Sequence, residues 1–223
     1  MKKATLVTML VALLVGVTSA AYADAISFSF VGILSTPSAS FSTSGGVNLS
    51  SAALLAVSSS NSNSVYSLPG TVNITSGSAS SWTTLNLPPN VLLADFDLGG
   101  AVSVLSSACV GGSLPGVCLA GSLNGAGNYL AFDGGQGSFQ GVFQVDYVSP
   151  YITSLYGLAN NWKSVGSDSF STSDNTFVMG GTTDQALLGQ GGITFSTVPE
   201  PSSLALLGSG VLGLAGIIRR KIR

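Results

Sequence analysis

From Phe139 to Tyr147 the chain reads Phe-Gln-Gly-Val-Phe-Gln-Val-Asp-Tyr, with Phe139, Gly141, Phe143, Val145 and Tyr147 on one side of a two-residue repeat. Gln140, Gln144 and Asp146 occupy the other side. A period of two is the mark of a half-buried β-strand, because successive side chains point to opposite faces. The same period recurs where Ile26, Phe28 and Phe30 alternate with Ser27 and Ser29, where Val72 and Ile74 flank Asn73, and where Ile193 and Phe195 flank Thr194. Residues 91–105 combine an apolar run with alternation and predict one or two central strands. Clusters of turn formers (STPS, TSGG, LPGT, NLPPN, NGAGN, DGGQG and GQGG) separate these runs. Many short strands with such punctuation predict a mainly β fold, an antiparallel β-sandwich or jelly roll. Two stretches allow a helical or irregular reading: residues 51–60, with a short apolar centre, and 149–162, with Ile152, Leu155, Tyr156 and Ala159 at helical spacing. Ser58–Ser64 reads as a flexible loop.

Charge is scarce and segregated. Only 7 % of the residues are charged, and six of the seven basic ones sit at the ends: Lys2, Lys3, Arg219, Arg220, Lys221 and Arg223. Between the ends, eight aspartates face the single base Lys163, which leaves a net charge of −7. No basic patch exists to neutralise phosphates, so nucleic-acid binding is excluded.

The first residues join two lysines to an apolar run from Ala4 to Val17 and a small-residue stretch ending Ala21-Tyr22-Ala23. That order predicts a secretory signal peptide over 1–23, cleaved by signal peptidase after Ala23. Export in turn predicts a disulfide between Cys109 and Cys118, the only two cysteines, across the turn-rich segment VGGSLPGV.

Candidate chemistry is thin. The chain has no histidine, which removes Ser-His-Asp and Cys-His nucleophiles and any His-bearing zinc site. Its only glutamate is Glu200. Asp95 and Asp97 form the tightest carboxylate pair, on one face of a strand at roughly 6.5–7 Å between Cα atoms. Such a pair serves as a polar strand end, or as oxygen ligands for calcium, or in principle as the acids of an inverting glycosidase. Trp82, Tyr129, Tyr151, Tyr156 and Trp162 offer either a sugar-stacking platform or core packing.

The chain ends VPEPSSLALLGSGVLGLAGIIRRKIR over 198–223. The apolar run Leu204–Ile218 predicts a single, short transmembrane helix, with the arginines held in the cytoplasm by the positive-inside rule. Pro199 and Pro201 stop that helix from running back and leave an extended segment at the membrane surface. Pro-Glu-Pro, a Leu/Gly-rich segment and a terminal basic cluster, in that order, resemble the PEP-CTERM sorting signal, with Pro199, Glu200 and Pro201 at the motif positions. The resemblance implies handling by an exosortase, a membrane protease of Gram-negative bacteria, during transient residence in the inner membrane. It also implies an exported, surface-associated product, often in species that make exopolysaccharide.

The organisation expected is therefore a signal peptide (1–23), a β-rich extracellular body (24–197) and a sorting signal (198–223). The function expected is a non-enzymatic structural or adhesive role in extracellular matrix or biofilm, exopolysaccharide being one partner. A carbohydrate- or calcium-binding module is the alternative. After loss of both ends the body would reside on the cell surface or outside the cell.

Overall fold

The computed structural model describes residues 25–32, 39–60, 62–97, 99–124, 127–156 and 164–196. The strands in chain order are β1 (Ala25–Val31), β2 (Ala39–Ser42), β3 (Gly46–Ser59), β4 (Ser62–Ser76), β5 (Ala79–Leu85) and β6 (Val91–Phe96). They continue with β7 (Gly100–Leu105), β8 (Val117–Leu123), β9 (Gly127–Phe132), β10 (Gly137–Val148), β11 (Val165–Phe177) and β12 (Thr183–Ser196). One helix, α1 (Pro150–Leu155), lies between β10 and β11.

The pairings close on themselves. β1 pairs with β12, β12 with β11, β11 with β10, β10 with β8, β8 with β7, β7 with β4, β4 with β3, and β3 with β1. This circuit is an antiparallel barrel of 8 strands. The expected sandwich or jelly roll is thereby corrected. Alternation fixes one dry and one wet face per strand, and a barrel meets that demand as well as two stacked sheets do. What decides between them is the pairing of the first strand with both β3 and β12, a long-range contact. No helix among the described residues is long and apolar enough to cross a membrane. The segment for which a membrane helix was expected, like the signal peptide, lies outside the described residues.

The long strands carry a second tier. On one side of β12 and β3, β1 gives way to β2: Ala25 to Val31 face Ser196 to Gln190, and Ala39 to Ser42 face Ala186 to Thr183. Likewise β10 passes from β8 to β9, with Phe143 opposite Leu123 and Gln140 opposite Asn128. Five residue steps on the β8–β9 side match three on β10. The wall forks at that irregularity. One branch continues through β7 and β4, the other through β6 to β5.

The interior is filled rather than hollow, as expected for eight strands. Phe28, Phe30, Phe41, Phe96, Phe139 and Phe143 are all fully buried. Each such side chain contributes roughly 1.5–3 kcal/mol by leaving water. Glycines face several of these rings across the wall. A Cβ on Gly166 would lie 2.3 Å from Phe143 Cζ, and one on Gly191 would lie 2.3 Å from Phe30 Cζ. These are directly paired positions, so each ring lies over the hydrogen of its glycine partner.

Cys109 and Cys118 form the expected disulfide, with Cα atoms 5.2 Å apart and both side chains buried. The strand it anchors also holds α1, since the Ser149 amide donates to Cys118 O (2.9 Å). Ser149 caps the helix by accepting from the Tyr151 amide (3.2 Å), and Pro150 opens it. Reducing this disulfide, which closes a span of 9 residues, is expected to cost about 3 kcal/mol through released loop entropy. Urea unfolding with and without reductant checks this, and coincident curves contradict it.

Candidate functional site

The branch through β9, β6 and β5 carries an outward row of polar side chains in register. Ser81 pairs with Asp95, Asp95 with Asn128, Asn128 with Gln140, and Gln140 with Ser169. All five are exposed. Crossing five strands at about 4.8 Å spacing, the row spans roughly 19 Å. Asp95 belongs to it and accepts a hydrogen bond from Ser81 Oγ (2.8 Å). Asp97 lies just past the end of β6, exposed, with its amide donating to Ser78 O (2.8 Å). The strand thus ends between the two aspartates that the sequence pairs, and Phe96 between them turns into the core. Among the described residues no group of three or more His, Cys, Asp or Glu side chains gathers to hold a metal.

At its β10–β11 end the row runs into a depression of about 310 Å³. Asn128, Gln140, Val142, Ser167 and Ser169 line it, beside Gly141 and Asp168. The depression sits at the fork of the wall. Gln140 is the last β10 residue paired with β9 and Phe143 the first paired with β8. Gly141 and Val142 therefore have no ladder partner on that side among the described residues.

Two aspartates are turned inward, a feature that alternation alone does not reveal. Asp184 of β12 is 1 % exposed, as is Asp168 of β11. Asp184 shares a polar cluster in the aromatic core with Tyr129 of β9 and with Thr172 and Asn175 of β11. Asn175 Nδ2 donates to Gly135 O (2.7 Å), which turns its Oδ1 towards Thr172 Oγ1 (3.0 Å) and Tyr129 Oη (2.5 Å). Tyr129 Oη also lies 2.8 Å from Asp184 Oδ2. One hydroxyl proton cannot serve both acceptors. A proton on Asp184 lets every contact stand at once. Burial favours that proton and raises the Asp184 pKa, with Asp133 adding to the effect; Tyr129 and the amides of Thr176 and Gln185 pull the other way.

Tyr129 is the keystone of this cluster. Its ring stacks on Phe41 of β2 at 3.6 Å between centroids, and its hydroxyl is held protonated by burial first and by Asp184 second. Tyr129→Phe keeps the stack but strands Asp184 and Asn175, at an expected cost of about 1–3 kcal/mol. Denaturant unfolding of the variant measures this, and an unchanged midpoint would remove the keystone role.

The other aromatics singled out in the sequence do not form a platform together. Trp82 is half-buried, its Nε1 donating to Gly181 O (2.9 Å), while Tyr151 and Tyr156 pack against the core. Trp162 lies outside the described residues, as do Pro199, Glu200 and Pro201.

Comparison with known families bears on the C-terminal segment. Residues 197–221 match the model of the PEP-CTERM protein-sorting motif. The chain carries a PEP-CTERM signal. That signal marks an exported protein processed by an exosortase, destined for the cell surface or the extracellular space. No curated protein and no solved structure matches the chain. The PEP-CTERM match thus addresses the handling of the protein and leaves the barrel to be read from its own surface.

Proposed function

We propose that the barrel is a non-enzymatic structural or adhesive component of the extracellular matrix or biofilm, with exopolysaccharide as a partner. In this reading, signal peptidase cuts after Ala23 and an exosortase cuts near Pro199-Glu200-Pro201, so the mature protein is essentially the barrel. The observation that carries the reading is the outer wall. Many of its outward positions are small hydroxyl and amide residues, and some are linked across strands, as where Ser27 Oγ and Thr194 Oγ1 meet at 2.9 Å. A neutral, hydroxylated wall suits contact with hydrated polymers, and the body's net negative charge keeps the protein soluble outside the cell. The test is retention in the matrix fraction of a producing strain, compared with a chain cut before residue 197. Recovery of the mature barrel solely as free protein in the culture fluid contradicts the adhesive reading.

A second reading, a carbohydrate- or calcium-binding module, is favoured by the row Ser81–Asp95–Asn128–Gln140–Ser169. Its amides and carboxylate can exchange hydrogen bonds with sugar hydroxyls, and Asp95 and Asp97 supply oxygen ligands for calcium. Calorimetry with calcium chloride and a glycan array, both on the purified barrel, test it. A saturable signal abolished by Asp95→Ala supports binding, and silence in both rejects it.

A further inference from the structure

We propose that the barrel contains a proton-controlled seam: with a proton on Asp168 the wall at the β8–β9 fork stays shut, and without it the β10–β11 pair opens there to let water reach the carboxylate. Asp168 sits in register between Gly141 of β10 and Ile193 of β12. A Cβ on Gly141 would lie 2.5 Å from Asp168 Oδ1 and 3.1 Å from both Leu123 Cδ2 and Phe139 Cε1. The carboxyl therefore occupies the space left by a missing side chain, among apolar neighbours. Neither of its oxygens has a hydrogen-bond partner.

Among the described residues no counter-charge faces it. From β8 it is faced by Leu123, from β10 by Phe139 and Gly141, and from β12 by Ile193; none of these titrates. On its own strand, the backbone amide of Asp168 is the one group that eases ionisation. The acid Asp184 and the phenol Tyr129 belong to the separate Asn175 cluster, and Asp133 acts on Asp184. The sole basic residue of the body is Lys163. An ionised carboxylate in such surroundings is costly unless it is hydrated.

The wall beside Asp168 is also where hydration is cheapest. Gly141 and Val142 lack ladder partners on the β8–β9 side among the described residues, so there β10 is held by its ladder to β11 alone. Gly141 and Asp168 already lie beside the depression in the outer wall. An exported protein meets whatever pH its surroundings have, so this seam would make the barrel tight in acid and looser towards neutrality.

Native-state hydrogen exchange of the purified barrel, corrected for intrinsic rates, tests the proposal. Protection of amides in 137–144 and 165–172 is expected to fall about tenfold per pH unit from pH 4 until the pH nears 7, the carboxyl's value in the closed barrel, and then to level off. At every pH the seam amides should be less protected than those of the β3–β4 pair, and Asp168→Asn should abolish the slope at the seam. Protection independent of pH, seam amides as well protected as those of the β3–β4 pair, or a slope that survives Asp168→Asn would each overturn the seam. Should the variant fail to fold, the carboxyl carbon resonance of wild-type Asp168 decides: a midpoint near 7 supports the proposal and one near 4 overturns it.

Discussion

Replacing Phe41 with alanine is expected to cost the barrel about 3–5 kcal/mol, enough to remove much of the stability of an ordinary domain. Phe41 comes from β2, a strand of only 4 residues, yet it stands at the centre of the aromatic core. Its ring stacks on Tyr129 and lies 6.3 Å from Phe170 and 6.5 Å from Phe96, so it joins β2 to β9, β11 and β6. Truncation would open a cavity ringed by rigid aromatics, which cannot collapse to fill it. It would also uncover the Tyr129–Asp184–Asn175 cluster to a void. Urea unfolding measures the cost, with Val178→Ala, at a residue 74 % exposed, as the matched control. A loss below about 1 kcal/mol for Phe41→Ala would contradict this account of the core.

The second large effect is on pH dependence. Burial lifts the Asp168 carboxyl from its ordinary value of 3.8 to about 7. Between those values the folded chain holds a proton that the unfolded chain has released, so stability falls as pH rises. The stabilising contribution is fully present below pH 3.8 and lost once the pH passes about 7. Three pH units at about 1.4 kcal/mol each amount to roughly 4 kcal/mol. Asp184, raised in the same direction, adds to the trend. Asp168→Asn removes the ionisation and should flatten the curve, leaving the variant close to wild type at pH 4 and more stable than wild type at pH 8. Denaturation curves across this range check the sign, and a wild type that gains stability from pH 4 to 7 would refute it. Most domains lose stability in acid, where paired carboxylates are neutralised. This body has almost no bases to pair with, so its buried acids reverse the usual dependence.

How much of this was legible in the sequence depends on the strand. β1, β10 and the end of β12 were plain, because Ile26/Phe28/Phe30, Phe139/Phe143/Val145 and Ile193/Phe195 keep strict alternation into the core. Residues 51–60 looked ambiguous for a physical reason. The ladder of β3 slips between Leu49 and Ala52 and again between Leu54 and Ala56, so the buried residues Leu49, Ala52, Leu54 and Val57 fall at steps of three, two and three. Such spacing imitates a helix, and Ser51, at φ 57°, marks the first slip. β11 gave little apolar signal, because its inward row mixes Phe170 and Phe177 with Gly166, Asp168, Thr172 and Asn175. The ring needs β11 to close, and hydrophobic patterning did not find it. The inward acids were hidden for the same reason, whereas the exposed Asp95 and Asp97 drew notice by their spacing alone. The helix at α1 and the disulfide were both readable, from local spacing and from an even pair of cysteines in an exported chain.

We propose that the working protein is a barrel delivered outside the cell by two signals that it then loses. The intact mass of the protein recovered from the surface or medium of a producing strain tests this most directly. A single species is expected, beginning at Asp24, carrying one internal disulfide and ending close to Pro199-Glu200-Pro201. Recovery of the exported protein with Arg223 still in place would contradict it.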